Sequence, residues 1–336
     1  MSAGILGRPQ RCLIDGRYLG QTDRGDAVRG GQKRPRSPIV GFTHGHSRTP
    51  GLSKKTWHQR MAHSSTKLSI VPFFALSLLA VVVGWTPTTA APRPELQAIT
   101  ARQPELLKRV LGHLRAPSGQ PQLYFVGFAG YGRQSVFKRE VLAVRQIFDV
   151  RFGTNGRSVA LVNHPSTAND IPLADASNLD AVLQHLGKLM DPNRDTLFLF
   201  LSSHGIEGRL AVEMPGLALR SLTPQHVKTM LDRAKIRRRI IVISSCHSGS
   251  FIPTLADPNT LVIAAARADR NSFGCEDQRQ WTYFGDAYFN RALRQETSFR
   301  RAFERARKLV TLWEAQKQLT PSLPQMAGGE SLSGAD

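Results

Sequence analysis

The pattern of apolar and polar positions changes near residue 92 of this 336-residue chain. From Pro94 onward, short runs of nearly continuous apolar residues alternate with longer amphipathic stretches. Continuous apolar runs are typical of strands that are buried on both faces, and amphipathic stretches are typical of helices that cover such strands. The pattern therefore predicts one α/β domain over residues 92–320, built on a mostly parallel sheet.

The same pattern gives the expected boundaries of each element. Strands are predicted at 122–128, 158–162, 196–202, 240–244 and 260–265. Helices are predicted at 95–114, 135–152, 176–190, 223–235, 283–293 and 298–318. The Gly/Ser-rich residues 321–336 predict a flexible tail.

The first 91 residues have a different composition from the rest of the chain. Residues 1–60 are rich in Gly, Pro, Ser, Thr and Arg without an apolar period, which predicts a disordered basic extension. Residues 61–91 have the layout of a secretory signal peptide: Met61 and a short basic region, the apolar run 68–85, and small residues before Pro92. Because this unit begins at an internal methionine, we infer that Met61 is the true start and residues 1–60 are a mis-called extension.

The apolar run 68–85 has a second interpretation as an uncleaved membrane anchor, since its length is close to the minimum that spans a bilayer. A buried core helix is less favoured, because Pro72 interrupts the run. Cleaved signal and anchor both place the following domain in the periplasm or cell envelope, because positive charge precedes the apolar segment.

Charge and cysteine content narrow the function classes. The net charge is +20, but 12 of the 45 Lys/Arg and only 3 of the 25 Asp/Glu lie in residues 1–60. The basic run 235–239 is expected to be a solvated loop and the basic residues of 300–308 an exposed helix face, so no nucleic-acid partner is expected. Three cysteines, at positions 12, 246 and 275, are too few for a disulfide scaffold and lack zinc-finger spacing.

Two predicted strands end in chemically reactive residues. The strand 196–202 is followed by His204-Gly205, and the strand 240–244 by Cys246-His-Ser-Gly249. A doubly wound sheet binds its ligands at the carboxyl ends of its strands, where a thiol nucleophile and an imidazole acid/base could perform acyl transfer. The backbone N–H groups of Gly205 and Cys246 are the expected oxyanion donors, and Gly249 is expected to turn the chain beneath the thiol.

These two motifs together resemble the caspase and legumain clan of cysteine peptidases. The run Ser244-Ser-Cys-His-Ser-Gly249 is similar to the legumain branch, and the stretches 264–275 and 282–286 are similar to bacterial members of the peptidase C13 family. The resemblance covers residues 120–310. It implies a caspase-like three-layer αβα sandwich and a cysteine endopeptidase that needs no cofactor and cleaves protein or peptide substrates through a thioester.

The resemblance also carries residues over to the substrate pocket and to a third catalytic role. Asn271, Ser272 and Asp286 become candidates for the pocket that selects the substrate residue. Legumains have an asparagine after the first strand that orients the histidine. The matching position here is Ala129, so the third catalytic role stays unassigned.

Several alternatives remain open from the sequence. The domain could be a catalytically silent caspase-like interaction module at the cell envelope, and a basic nucleic-acid binder would rest on charge alone. A Cys246–Cys275 disulfide would silence the thiol, and a zinc site including His204 and His247 is disfavoured by its spacing. His247 is interpreted as accessory or structural, because neighbouring side chains of an extended chain point to opposite sides.

Overall fold

The computed structural model describes residues 94–116 and 119–332. The proposed extension 1–60 and the segment 61–91 lie outside these residues, as does the end of the predicted tail. Within the described ranges, no helix is both long and apolar enough to cross a membrane.

In the described part of the chain, eight strands and seven α-helices follow the βα alternation that the sequence predicts. The strands are β1 (Leu123–Ala129), β2 (Ser158–Val162), β3 (Thr196–Ser202), β4 (Gly205–Ile206), β5 (Arg209–Leu210), β6 (Arg238–Ser244), β7 (Thr260–Ala264) and β8 (Gln325–Ala327). The helices are α1 (Pro94–Gly112), α2 (Ser135–Arg151), α3 (Ala176–Leu189), α4 (Pro224–Arg233), α5 (Ile252–Leu255), α6 (Tyr283–Gly285) and α7 (Phe299–Gln316). Helix α6 continues into a π-helix, Asp286–Ala292.

Six of the strands form one sheet in the order β2-β1-β3-β6-β7-β8, and β4 and β5 form a separate hairpin. All pairs from β2 to β7 are parallel, and the edge strand β8 is antiparallel to its neighbour. The chain passes from β1 outward to β2 and then returns to β3 on the other side of β1. The strand order thus reverses between β1 and β3, where an open α/β sheet places its ligand crevice.

Successive residues of the central strands pack against opposite layers of helices. On one face Phe125, Phe198 and Phe200 share a core with α2, the π-helix and α7. On the other face Tyr124 and Leu199 share a core with α1, α3 and α4. Because a strand alternates its side chains between its two faces, burial on both faces requires continuous apolar runs. The prediction of an αβα sandwich with a mostly parallel sheet is confirmed.

Three local expectations need correction. Residues 325–327, within the predicted flexible tail, pair with β7 as strand β8. The predicted helix 283–293 is a single α-turn that widens into a π-helix. The basic run 235–239 is not wholly a solvated loop, because Arg238 and Arg239 begin β6. Arg239 is buried, with its guanidinium 2.7 Å from the Asp232 carboxylate.

Candidate active site

The two residues singled out by the sequence follow neighbouring strands in register. Ser202 of β3 and Ser244 of β6 are Cα partners, and His204 and Cys246 each lie two positions beyond them. The backbone N–H of Ser203 donates to the Ser244 carbonyl at 3.2 Å, so the pairing continues past the strand ends. The structure therefore brings the histidine and the cysteine to one edge of the sheet, as the strand-end motifs predict.

The His204 imidazole is held in one orientation by three side chains. Its ring meets Tyr131 at 4.5 Å between centroids and Phe137 at 5.1 Å, both in edge-on geometry. Its Nε2 lies 2.5 Å from the Gln134 Oε1. An amide oxygen only accepts hydrogen bonds, so Nε2 carries the proton and Nδ1 is the ring nitrogen that can take up another.

Gln134 is a site residue that the sequence analysis missed. It stands at the N-cap position of α2 without a side-chain cap bond, five positions after β1. The position that the resemblance matched to the orienting asparagine is Ala129, the buried last residue of β1. The loop between them is fixed by Glu213. Its carbonyl accepts from the Gly132 N–H at 2.8 Å, and its carboxylate pairs with Arg133. The sequence signal that could have indicated Gln134 is its polar amide, which lies between an apolar strand and the start of a helix.

The Cys246 thiol contacts the backbone of Ser272. The sulfur accepts from the Ser272 N–H at 3.3 Å and donates to the Ser272 carbonyl at 3.6 Å. Burial raises the pKa of Cys246 to about 11, although the Ser272 backbone contact acts in the opposite direction. Cys246 is in the thiol form, so the disulfide alternative with Cys275 is wrong.

The chain leaves Cys246 through a left-handed residue. His247 has φ 54°, a conformation that is costly for a residue with a Cβ, and its Nδ1 lies 2.8 Å from the Ala268 carbonyl. His247 therefore makes the sharp turn that was expected of Gly249. Gly249 instead permits close packing, because a Cβ there would lie 2.7 Å from the Ala268 nitrogen. The structural interpretation of His247 is consistent with this geometry, although the chain here is not extended.

Gly205 packs directly against the cysteine segment. A Cβ at this position would lie 2.5 Å from the Cys246 carbonyl oxygen and 2.8 Å from the Ser245 hydroxyl. The ends of β3 and β6 approach each other so closely here that a residue with a side chain would not fit at position 205. The role of the Gly205 and Cys246 N–H groups as oxyanion donors stays a prediction.

The three pocket candidates are placed differently. Ser272 is buried against the thiol, and Asn271 precedes it as a half-buried residue. Asp286 begins the π-helix, where its carboxylate accepts from Asn290 at 2.7 Å and pairs with Arg291 at 3.3 Å. Their roles in substrate selection stay predictions. Among residues 94–116 and 119–332, no group of three or more His, Cys, Asp or Glu could hold a metal ion.

Comparison with known families gives an independent line of evidence. Residues 173–333 match the model of the peptidase C13 family. The matched residues include both His204 and Cys246, and this similarity supports a cysteine peptidase-type function. The peptidase family match begins after β1 and α2, so Gln134 lies outside it.

Two further comparisons concern solved structures and curated proteins. Caspase-1 from Spodoptera frugiperda has a similar solved structure, with 12% sequence identity and a TM-score of 0.44. The similarity covers 62% of this chain and 86% of the caspase chain. No curated protein sequence matches the chain.

Proposed function

We propose that this protein is a cysteine endopeptidase that cleaves protein or peptide substrates through a thioester on Cys246. His204 is the acid/base, and Gln134 holds its tautomer. The observation that carries the proposal is the register of β3 and β6. This register, together with the contact between His204 Nε2 and Gln134, supports a histidine–cysteine pair at the edge where open α/β sheets bind their ligands.

The pKa of Cys246, raised to about 11, determines at which step of the reaction the thiol loses its proton. The thiol keeps its proton at neutral pH, so His204 Nδ1 takes that proton as the sulfur attacks the scissile carbonyl carbon. The S–C bond forms, the C–N bond breaks, and His204 returns the proton to the departing amine. Water then attacks the thioester carbon, the S–C bond breaks, and the proton from water passes through His204 to the sulfur.

The substrate pocket is proposed to include the segment that begins at Asn271 and Ser272, since Ser272 touches the sulfur. An acidic Asp286 would favour an amide or a basic side chain at the residue before the cleaved bond. A library of fluorogenic peptides that varies this residue tests the proposal. The wild type is expected to cleave a subset, and the C246A and H204A variants are each expected to lose at least about a thousandfold in kcat/KM.

A matched control separates the chemistry from the general effect of removing an imidazole. His226 is an exposed histidine on α4, so H226A makes the same side-chain change as H204A without touching the proposed pair. We expect H226A to keep kcat/KM within about threefold of wild type. Iodoacetamide labelling that is unchanged in C246A would instead support the catalytically silent module. Cleavage that persists in C246A would contradict Cys246 as the nucleophile.

Export of the peptidase domain is part of the same proposal. Residues 61–91 are proposed to act as a signal peptide or an anchor, on the sequence layout described above. N-terminal sequencing of the native protein tests this. A mature end near Pro92 supports a cleaved signal, and an end at Met61 supports an anchor. A peptide from before Met61 would contradict the inferred start.

A further inference from the structure

A fully buried carboxylate lies directly beneath the proposed active site. Glu140 of α2 has no solvent exposure, and its Oε2 accepts from the Ser202 hydroxyl at 2.5 Å. Its Oε1 accepts from the Thr282 hydroxyl at 2.7 Å and from the Thr282 N–H at 3.0 Å. A buried carboxylate is costly unless it is hydrogen-bonded, so three donors from two other elements indicate a specific arrangement.

The bonds extend from Glu140 to a second strand end. The Thr282 hydroxyl lies 3.1 Å from the Ser244 hydroxyl and also accepts from the Gly285 N–H at 3.0 Å. Because the Thr282 proton points to Glu140, the Ser244 hydroxyl donates to Thr282. Ser202, Ser244 and Thr282 all direct their protons along one chain toward the carboxyl oxygens of Glu140. We call Glu140, Ser202, Ser244 and Thr282 the Glu140 network.

The position of the Glu140 network relates it to the proposed chemistry. Ser202 and Ser244 are the paired last residues of β3 and β6, two positions before His204 and Cys246. Thr282 is the last residue of the 271–282 segment, in which Ser272 contacts the thiol. Glu140 is thus connected by hydrogen bonds to the strand end before His204, to the strand end before Cys246 and to the segment that touches the sulfur.

Two neighbouring features keep this carboxylate in place. A Cβ on Gly285 would lie 1.8 Å from the Glu140 Oε1, so only glycine leaves room for the carboxylate. Arg139, the preceding residue of α2, donates to the Arg279 carbonyl and holds the 271–282 segment against the helix. Burial also raises the pKa of the Glu140 carboxyl against the effect of its hydrogen bonds, and Asp286 adds to that increase.

We infer that Glu140 is a positioning residue that holds the ends of β3 and β6 and the 271–282 segment in the arrangement needed for catalysis. This inference rests on the proposed function, because it assigns the network a purpose in the reaction of Cys246 and His204. Glu140 does not touch the reacting atoms, and it acts through the backbone that carries them.

The test compares E140Q, E140A and wild type by peptide cleavage. In E140Q the amide oxygen can still accept from Thr282 while the amide nitrogen faces Ser202, so the arrangement is partly kept. In E140A all three donors lose their acceptor. We expect kcat to fall about tenfold in E140Q and about a hundredfold in E140A with KM little changed, since small displacements of reacting groups have effects of this size.

A second readout follows the thiol itself. Without Glu140 the segment that carries Ser272 loosens, the sulfur becomes less buried, and iodoacetamide at pH ~8 alkylates Cys246 about threefold faster or more in E140A. Cleavage and alkylation then move in opposite directions in a folded protein, as checked by thermal melting. Wild-type kcat, an increase in KM alone, or an unchanged alkylation rate in folded E140A would each overturn the inference.

Controls separate positioning from general stability and from the proposed function. Glu314 is a second buried glutamate, in α7, and accepts from the Ser322 N–H at 3.0 Å. We expect E314Q to keep wild-type kcat and KM. If E140A does not fold, S202A and T282V each remove one hydroxyl and are expected to change kcat and alkylation in the same directions. If wild type cleaves no peptide, the proposed function fails, while the alkylation comparison still decides whether Glu140 holds the cysteine segment.

Discussion

The two ends of strand β3 each adjoin a buried carboxylate, and the partners of these carboxylates differ. At the amino end, Asp195 accepts from the backbone N–H groups of Gln122 at 3.0 Å and Asp191 at 2.8 Å. At the carboxyl end, Glu140 accepts mainly from the side chains of other elements. The carboxylate at the amino end accepts from backbone N–H groups, whereas the one at the carboxyl end accepts mainly from hydroxyl groups beside the proposed catalytic pair. Equal burial thus serves stability at one end and, we propose, positioning at the other.

The largest expected effect on stability is at the amino end. In D195A the backbone N–H groups of two half-buried residues, Gln122 and Asp191, lose their acceptor, and each unsatisfied donor is costly. We expect the free energy of unfolding to fall by about 3 kcal/mol, with kcat unchanged in the folded protein. Urea unfolding and peptide cleavage measure the two quantities. A folded D195A with strongly reduced kcat would show that the two ends do not differ in the way described.

The next largest effect is expected at Gln134, on the catalytic side of the comparison. Q134A removes the acceptor from His204 Nε2, and we expect kcat to fall about tenfold while KM stays near the wild-type value. In Q134E a carboxylate at the same place favours the protonated imidazole, so the acid limb of kcat/KM moves to higher pH. An unchanged pH profile in Q134E would contradict the assigned contact.

A smaller effect is expected in the pH dependence of stability. Because burial raises the pKa of Glu140 above its value in the unfolded chain, the stability that this group contributes is present at low pH and is lost as pH rises through the raised pKa. The amide that replaces the carboxyl group in E140Q does not titrate. The difference in unfolding free energy between wild type and E140Q should therefore shrink as pH rises above the ordinary carboxyl range. A difference that grows with pH would mean that the anion is the favoured form.

The smallest effect is expected at an exposed ion pair, with which the effects at the buried carboxylates can be compared. Lys228 and Asp232 form an ion pair of 2.6 Å on the surface of α4. We expect K228A to change the free energy of unfolding by less than about 0.5 kcal/mol, because exposed pairs are screened by solvent. Urea unfolding in low and high salt measures it, and a change comparable to that of D195A would contradict this ranking.

The main elements of the fold were predictable because their signal is local. The run Thr196–Ser202 is almost wholly apolar, and it forms strand β3 with the bounds that were predicted. The edge strand β8 was not predicted, because three residues before a Gly-Gly pair carry too little apolar pattern to indicate a strand. Its structure comes from pairing with β7, which lies about sixty residues earlier in the chain.

The residues of the candidate site also divide into those predictable from the local sequence and those that depend on distant contacts. His204 and Cys246 were predictable because each lies two positions beyond the end of an apolar strand. Gln134 contacts a histidine 70 residues away, and Glu140 contacts a threonine 142 residues away. A polar residue on an amphipathic helix has the sequence pattern of a solvent-facing position, so only the packing of α2 against the sheet shows that Glu140 is buried.

The most direct test of the central claim is covalent trapping of the nucleophile. Wild type, H204A and C246A would be treated with a peptidyl fluoromethyl ketone chosen from the best cleaved sequence, and the modified residue located by peptide mass. We predict one adduct, on Cys246, which forms much more slowly in H204A and is absent in C246A. An adduct on any other residue, or equal modification of C246A and wild type, would contradict the assignment of Cys246 as the nucleophile.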